Sequence, residues 1–318
     1  MPTPVFLTVD TEIMWRHHVA GHDAEILYSR SFEPGGVGIS YQLSVLARFG
    51  LKATYFVDPM PALVYGLDPI KRIVATILAA GQEVQLHLHP NWTGAKLGDG
   101  GAANGPANIN DLSQAAQRDL IGGACDLLVA AGAPMPIAFR GGNYGANDDT
   151  LAVLAELAFC YDSSHNGAAH PSPSAIGLPA DQIAPIEHQG IVEVPVTLIE
   201  DAPGKLRHFQ ICALSAAEMR AALDHAVAND HAALTIVNHG FELANRQGTA
   251  PNAVHVARFD ALCDMLADQR DALPTTHFSD RPALALGQSD WPVHPNLVRR
   301  TWRQAEQLWS NLVAERAA

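Results

Sequence analysis

The chain has 318 residues, of which 48% are hydrophobic and 17% charged, the balance of a globular protein with one large domain or two ordinary ones and not of a disordered chain. Twenty Lys and Arg stand against 33 Asp and Glu, a formal charge of −13, so phosphate backbones and anionic membrane surfaces are disfavoured and neither nucleic acid nor membrane is expected as a partner. No apolar run reaches the roughly 18 residues of a spanning helix, the first residues lack the basic flank of a signal peptide, and Cys125, Cys160, Cys212 and Cys263 form no CxxC pair, so a cytoplasmic protein with reduced cysteines is expected.

Val5 to Val9 is a continuous apolar run ending at Asp10, the pattern of a buried strand. Residues i and i+2 of an extended chain share a face, so Asp10 and Glu12 converge. Two carboxylates so close repel unless a cation lies between them or an arginine holds one, although acids after a strand also begin turns and cap helices. Val37 to Phe49 has helical spacing at Leu43, Leu46 and Ala47 and stops at Gly50, a residue suited to a left-handed cap. Ala53 to Val57 reads as a strand, and Pro69 to Ala80 as a second helix before Gly81.

Glu83 to Leu88 is the next strand, and His87 and His89 share a face at its end before Pro90 stops it. Two imidazoles and a carboxylate leave an open position on a divalent ion, the arrangement that activates water for hydrolysis, whereas a lone HxH more often satisfies backbone carbonyls. Asn91 to Asn110, rich in Gly, Ala and Asn, is a long loop leaving that strand and is expected to border a cleft, the alternative being a tolerated surface insertion. Asp111 with Gln114 has the spacing of a capping box and predicts a helix to about Ala131.

Pro136 to Phe139 predicts a strand with Arg140 at its end, followed by glycines that admit close backbone approach, and Arg140 is placed to hold Asp10 as a charged base. Asp162 follows Tyr161 after a helical stretch, and Val192 to Leu198 reads as another strand. Ser215 with Glu218 predicts a helix to about Asp230, and Ala233 to Val237 a strand delivering His239, a candidate general acid or base oriented by an acid such as Asp162. Asn296 to Arg316 predicts a terminal helix whose stripe of Val298, Trp302, Ala305, Trp309 and Leu312 is expected to face the core, the other option being a homo-oligomer face. Strand and helix alternate throughout, which implies a parallel sheet or barrel with its chemistry at the carboxyl ends of the strands.

The ordered series TVDTE, HLHP, FRGGNYG, YDSS and IVNHGFE resembles the motifs of the polysaccharide deacetylases, the NodB-like carbohydrate esterase family 4, over roughly residues 3 to 280. The resemblance implies an α/β fold of the distorted (β/α) barrel kind, with residues 1–290 as the catalytic domain and 291–318 as a helical extension packed on it. It implies metal-dependent removal of an acyl group, typically acetyl, from an amino sugar or polysaccharide precursor. Asp10 then looks like the catalytic base, Glu12, His87 and His89 like ligands of a divalent ion, Arg140 like the tether of the base, His239 like the general acid, and Asp162 like the residue orienting it.

Zinc best suits imidazole with carboxylate, with cobalt, nickel or iron as alternatives. The chain departs from the family pattern in placing Thr11 between its first two acids and in spacing its histidines by two. Position 91, where the family spacing of four would put the second histidine, is an asparagine. Either His89 is the second ligand, or Asn91 supplies an oxygen, or the metal is lost. Two other readings stand beside this one: a metal-independent cyclic-amide hydrolase of the allantoinase kind, and a non-catalytic carbohydrate-binding protein.

Overall fold

The computed structural model describes residues 2–316. Its centre is an eight-stranded curled sheet in the order Leu234–His239, Val5–Thr11, Thr54–Val57, Glu83–Leu88, Ala138–Gly141, Tyr161–Asp162, Ile191–Glu193, Ile186–His188. Every pairing is parallel except the last, so the helices between strands cover the outside and the carboxyl ends gather at one rim. The curl forms a half-barrel, as expected for a distorted (β/α) barrel. The free edge of Leu234–His239 is covered by irregular chain: Thr197 N–H donates to the Thr235 carbonyl at 3.1 Å, and Val237 N–H to the Phe209 carbonyl at 2.9 Å.

Strand periodicity decides what points inward. Val5, Leu7 and Val9 pack into the large core under the outer helices, while Phe6 belongs to a separate cluster inside the curl with Phe56, Ala138 and Phe278. Phe6 and Phe278 stack with ring centroids 4.4 Å apart and close the floor. Continuing two residues at a time, Thr8, Asp10 and Glu12 follow Phe6 on one strand, and His87 and His89 follow Gln85 on another, which stacks polar groups above an apolar plug.

Most predicted elements form near their expected places. The helices run Ile39–Phe49, Asp68–Ala79, Gln114–Ala130, Ala216–Ala228 and Leu297–Leu312, and Gly50 has the left-handed φ of 65° that its cap requires. The box at Ser215 and Glu218 is formed, but the one read at Asp111 is displaced: Asp111 accepts from Asn108 N–H in a short turn, and Ser113 caps the helix that follows. Val192 to Leu198 is not one strand, because the chain leaves the sheet after Glu193 and pairs again only as an outlying hairpin of Leu198–Ala202 with Lys205–His208. Tyr161–Asp162 follows a helix, Asp148–Glu156, as expected, and is a strand of the main sheet.

The largest reversal is the terminal helix. Its apolar stripe faces solvent, with Val298 at 76%, Trp302 at 61% and Trp309 at 63% exposure, and its polar face is the docked one. Arg303 is buried against Glu218 and Asp201, Ser310 accepts from Asn252, and Glu306 pairs with Arg258 at 2.9 Å. Periodicity finds an amphipathic helix, but ion pairs with the domain decide which side turns in. Among the described residues no helix is long and apolar enough to cross a membrane.

Candidate active site

Six of the sequence-predicted residues meet at the carboxyl rim. Arg140, fully buried, is the hub: one terminal nitrogen donates to Asp10 Oδ1 at 2.7 Å and to Thr8 Oγ1 at 2.8 Å, while the rest of the fork reaches the Ser163 carbonyl and hydroxyl, each at 3.0 Å. The guanidinium also lies over the Phe56 ring at 4.5 Å. Asp10 is 3% exposed; burial raises its pKa, but Arg140, His87 and His239 together outweigh burial and hold it below the usual carboxylate range. An ionised carboxylate in a nearly dry site is the result.

On one side of Asp10 stand Glu12, His87 and His89, whose donor atoms lie within 4.8 Å of one another. His87 Nδ1–H donates to the Arg140 carbonyl at 2.7 Å, which fixes the tautomer and leaves Nε2 as a lone pair 3.9 Å from Glu12 Oε2. Burial lowers the His87 pKa to about 4, against the pull of Asp10, so this imidazole is neutral at neutral pH. His89 Nε2 closes on Glu12 as an ion pair. Burial opposes its charge, but Glu12 prevails and lifts His89 to about 9, while Glu12 falls to about 2 although burial alone would raise it.

This donor set fits a divalent ion: two imidazoles and one carboxylate converge, and one imidazole is locked by a carbonyl behind it. Gly142 makes room for it, since a Cβ there would fall 2.5 Å from His89 Nδ1. Asn91 lines the same cleft and its buried Oδ1 has no hydrogen-bond partner.

On the other side stands His239, with Nε2 4.0 Å from Asp10 Oδ2. Its Nδ1–H donates to Glu242 Oε2 at 3.0 Å, and the same oxygen accepts the His239 backbone N–H and Gln210 Nε2. Glu242 Oε1 accepts Cys212 N–H. Burial disfavours a charged His239, yet the hydrogen bond and charge of Glu242 raise it to about 9.

The orienting acid is therefore Glu242 and not Asp162. Asp162 is held by the Ser164 N–H at 3.0 Å and hydroxyl at 2.8 Å, and pairs with buried Glu193, whose pKa is raised by burial and by that second carboxyl. The geometric reason is sheet order, which puts four strands between Leu234–His239 and Tyr161–Asp162 and seats the latter between Ala138–Gly141 and Ile191–Glu193.

Sequence reading missed Glu242, although the i+3 spacing in His239-Gly-Phe-Glu242 was the available signal. It also missed Asp58, buried at the end of Thr54–Val57, where Oδ1 accepts Met60 N–H at 3.0 Å and Oδ2 has no partner. Burial raises Asp58 to about 7, partly offset by His89.

Two clefts open from this centre. One of ≈ 380 Å³ is lined by Glu12, His89, Trp15, Trp92 and the loop residues Asn104 and Gly105, so the loop after the histidine strand does border the cleft. The other, of ≈ 250 Å³, runs past His239 between Gln210, Arg16 and Arg246, with Gln307 and Asn311 of the terminal helix as its far wall.

The chain matches no protein-family model and no curated protein. Among solved structures it superposes on a protein assigned as a polysaccharide deacetylase from Mycobacterium smegmatis with a TM-score of 0.56 at 18% identity, covering 91% of this chain and 95% of that one. Puue allantoinase gives a TM-score of 0.55 at 13% identity over 87% of this chain and 88% of its own. A protein assigned as a polysaccharide deacetylase from Pseudomonas aeruginosa PAO1 gives 0.53 at 14% identity, over 87% and 89%. At such identities the likeness is one of fold, and the same fold carries more than one chemistry.

Proposed function

We propose that the chain is a divergent polysaccharide-deacetylase-like hydrolase that removes an acyl group from an amino sugar or a polysaccharide precursor with the help of a divalent ion. The observation that carries this reading is the single constellation in which an arginine-held Asp10 stands between the Glu12, His87 and His89 cluster and the Glu242-backed His239. Glu12, His87 and His89 would hold a divalent ion, with zinc the best match, and such an ion would supply Lewis acidity for attack by water on the acyl group. Asp10, kept ionised by Arg140, takes the proton of that water. His239, charged at neutral pH through Glu242, protonates the leaving nitrogen or oxygen from the opposite side of Asp10. In this reading residues 1–290 carry the catalysis and 291–318 form an extension that lends Gln307 and Asn311 to the rim. A cytoplasmic location belongs to the same reading and points to a soluble saccharide or precursor and not to finished cell wall.

A second reading, cyclic-amide hydrolysis without a metal, draws on the fold shared with Puue allantoinase and on the histidine spacing of two. Elemental analysis of the purified protein, paired with acetate release from an N-acetylated amino sugar, separates the two. Stoichiometric metal lost in His87→Ala, with acetate release lost alongside, supports the deacylase. Cleavage of a cyclic amide by metal-free protein overturns it.

A further inference from the structure

Resting on that reading, we infer that the cleft beside His239 is an anion subsite, and that the substrate carries a carboxylate or phosphate which Arg16 and Arg246 receive. Arg16 leaves the short helix Trp15–Val19, just after the first acidic motif, and its Nη1 donates to the Arg246 carbonyl at 2.9 Å. That bond brings two guanidinium-bearing residues to one rim of the cleft whose inner wall is His239. Burial, and then the charge of Arg246, lower the pKa of Arg16, and the more distant charges of Glu315 and Glu12 offset this only in part.

Among the described residues no carboxylate comes within 4.0 Å of either guanidinium. The two acids of the cleft are engaged elsewhere: Glu242 with His239, Gln210 and the Cys212 N–H, and Glu315 with the Arg246 backbone N–H at 2.8 Å and Asn252 at 3.1 Å. Several other arginines of this acidic chain stand against carboxylates, as in Arg72 with Glu25, Arg207 with Asp201 and Arg258 with Glu306. Two cations without a close carboxylate thus stand at the mouth of a cleft in a protein of charge −13, where an anionic group of a ligand can meet them. The remaining wall, Gln210, Gln307 and Asn311, offers amides suited to hydroxyl groups, so the ligand that fits is a polyol with one anionic substituent. Arg forks match carboxylate and phosphate equally well, and experiment tells the two apart.

The test compares an N-acetylated amino sugar, its phosphate ester and an analogue bearing a carboxylate, each followed by calorimetric binding and by acetate release. The wild-type protein is expected to bind one anionic form at least about tenfold tighter than the neutral sugar, as charge-assisted bonds provide, with the preference falling as salt rises. Arg16→Gln and Arg246→Gln should each bring the ratio of anionic to neutral affinity towards one, and Arg246→Lys should restore part of it. Preference for the ester assigns phosphate as the group, and preference for the acid assigns carboxylate. Equal binding of all three forms by the folded wild-type protein, or an anion preference that survives both Gln variants, overturns the inference. Binding is read without turnover, so anion preference without acetate release removes the deacylase reading and leaves the subsite standing.

Discussion

Two carboxylate–imidazole pairs flank Asp10, and they are built differently. Both His89 and His239 are lifted to about 9 by a glutamate after burial has opposed them. Glu242 is locked by fixed donors, the backbone N–H groups of Cys212 and His239 and the Gln210 amide, so it can only hold its histidine. Among the described residues Glu12 pairs closely only with His89, while the His87 Nε2 lone pair stands 3.9 Å away. A proton on His89 is the only thing binding that side together, and an ion can replace it. In the proposed function the same two residue types thus serve as a fixed proton donor on one side and an exchangeable cation site on the other. What separates them is the number of rigid N–H donors around the acid.

The strongest way to break this comparison is at its shared hub. Arg140→Ala leaves Asp10 buried without its cation, and removing one partner of a buried pair costs on the order of 3–5 kcal/mol, so thermal unfolding should show a large loss of stability together with loss of activity. Its activity effect should not add to that of Asp10→Asn, as a double-mutant cycle would show. Next in size are the proton-transfer groups: Asp10→Asn and His239→Ala should each lower kcat by on the order of 10² to 10⁴ while elemental analysis still finds the ion. Full activity of His239→Ala on an acetylated amino sugar would reduce His239 to a structural residue.

The difference between the two glutamates can be sharpened by pH. Glu242 raises the pKa of His239 while burial lowers it, so Glu242→Gln moves that pKa down from about 9. The acid must be protonated to act, so the alkaline limb of the kcat profile should shift to lower pH, whereas Glu12→Gln should abolish metal binding instead. Because His89 carries a proton in the metal-free protein, loading the ion near pH 7.5 should release about one proton, measurable by calorimetry in buffers of different ionisation heat. The smallest effect belongs to Asp162→Asn, which touches neither pair and should change kcat by no more than about threefold, since a positioned proton carrier would be worth far more. A loss of a hundredfold would reinstate Asp162 as the partner of His239.

Strand periodicity made much of this site readable in advance. Asp10 and Glu12, then His87 and His89, then Arg140 and His239 each end a strand whose inward and outward residues alternate, so one face of a local pattern named all six. Asp162 obeyed the same pattern and still misled, because being at a strand end does not say which strands are neighbours. Glu242 and Asp58 act through contacts that only the assembled rim creates. The terminal helix shows the limit of periodicity from another angle: its stripe was visible, but Arg303 and Ser310, polar residues of the opposite face, are what the domain buries. The short helices Trp15–Val19 and Ala24–Ser31 are too brief to carry a period at all.

Gly142 has a consequence for how such a centre can be lost. Nothing ionisable is contributed by this residue, yet a single added methyl would meet the His89 ring at 2.5 Å. The ring would have to shift from the position in which its Nε2 meets Glu12, and the convergence of the three donors would be disturbed. Inheritance could therefore silence the chemistry through one nucleotide, with every acid, histidine and arginine of the centre still in place. A descendant of this kind would keep its fold and its motifs and be a binder only, and inspection of its polar residues would not reveal the change.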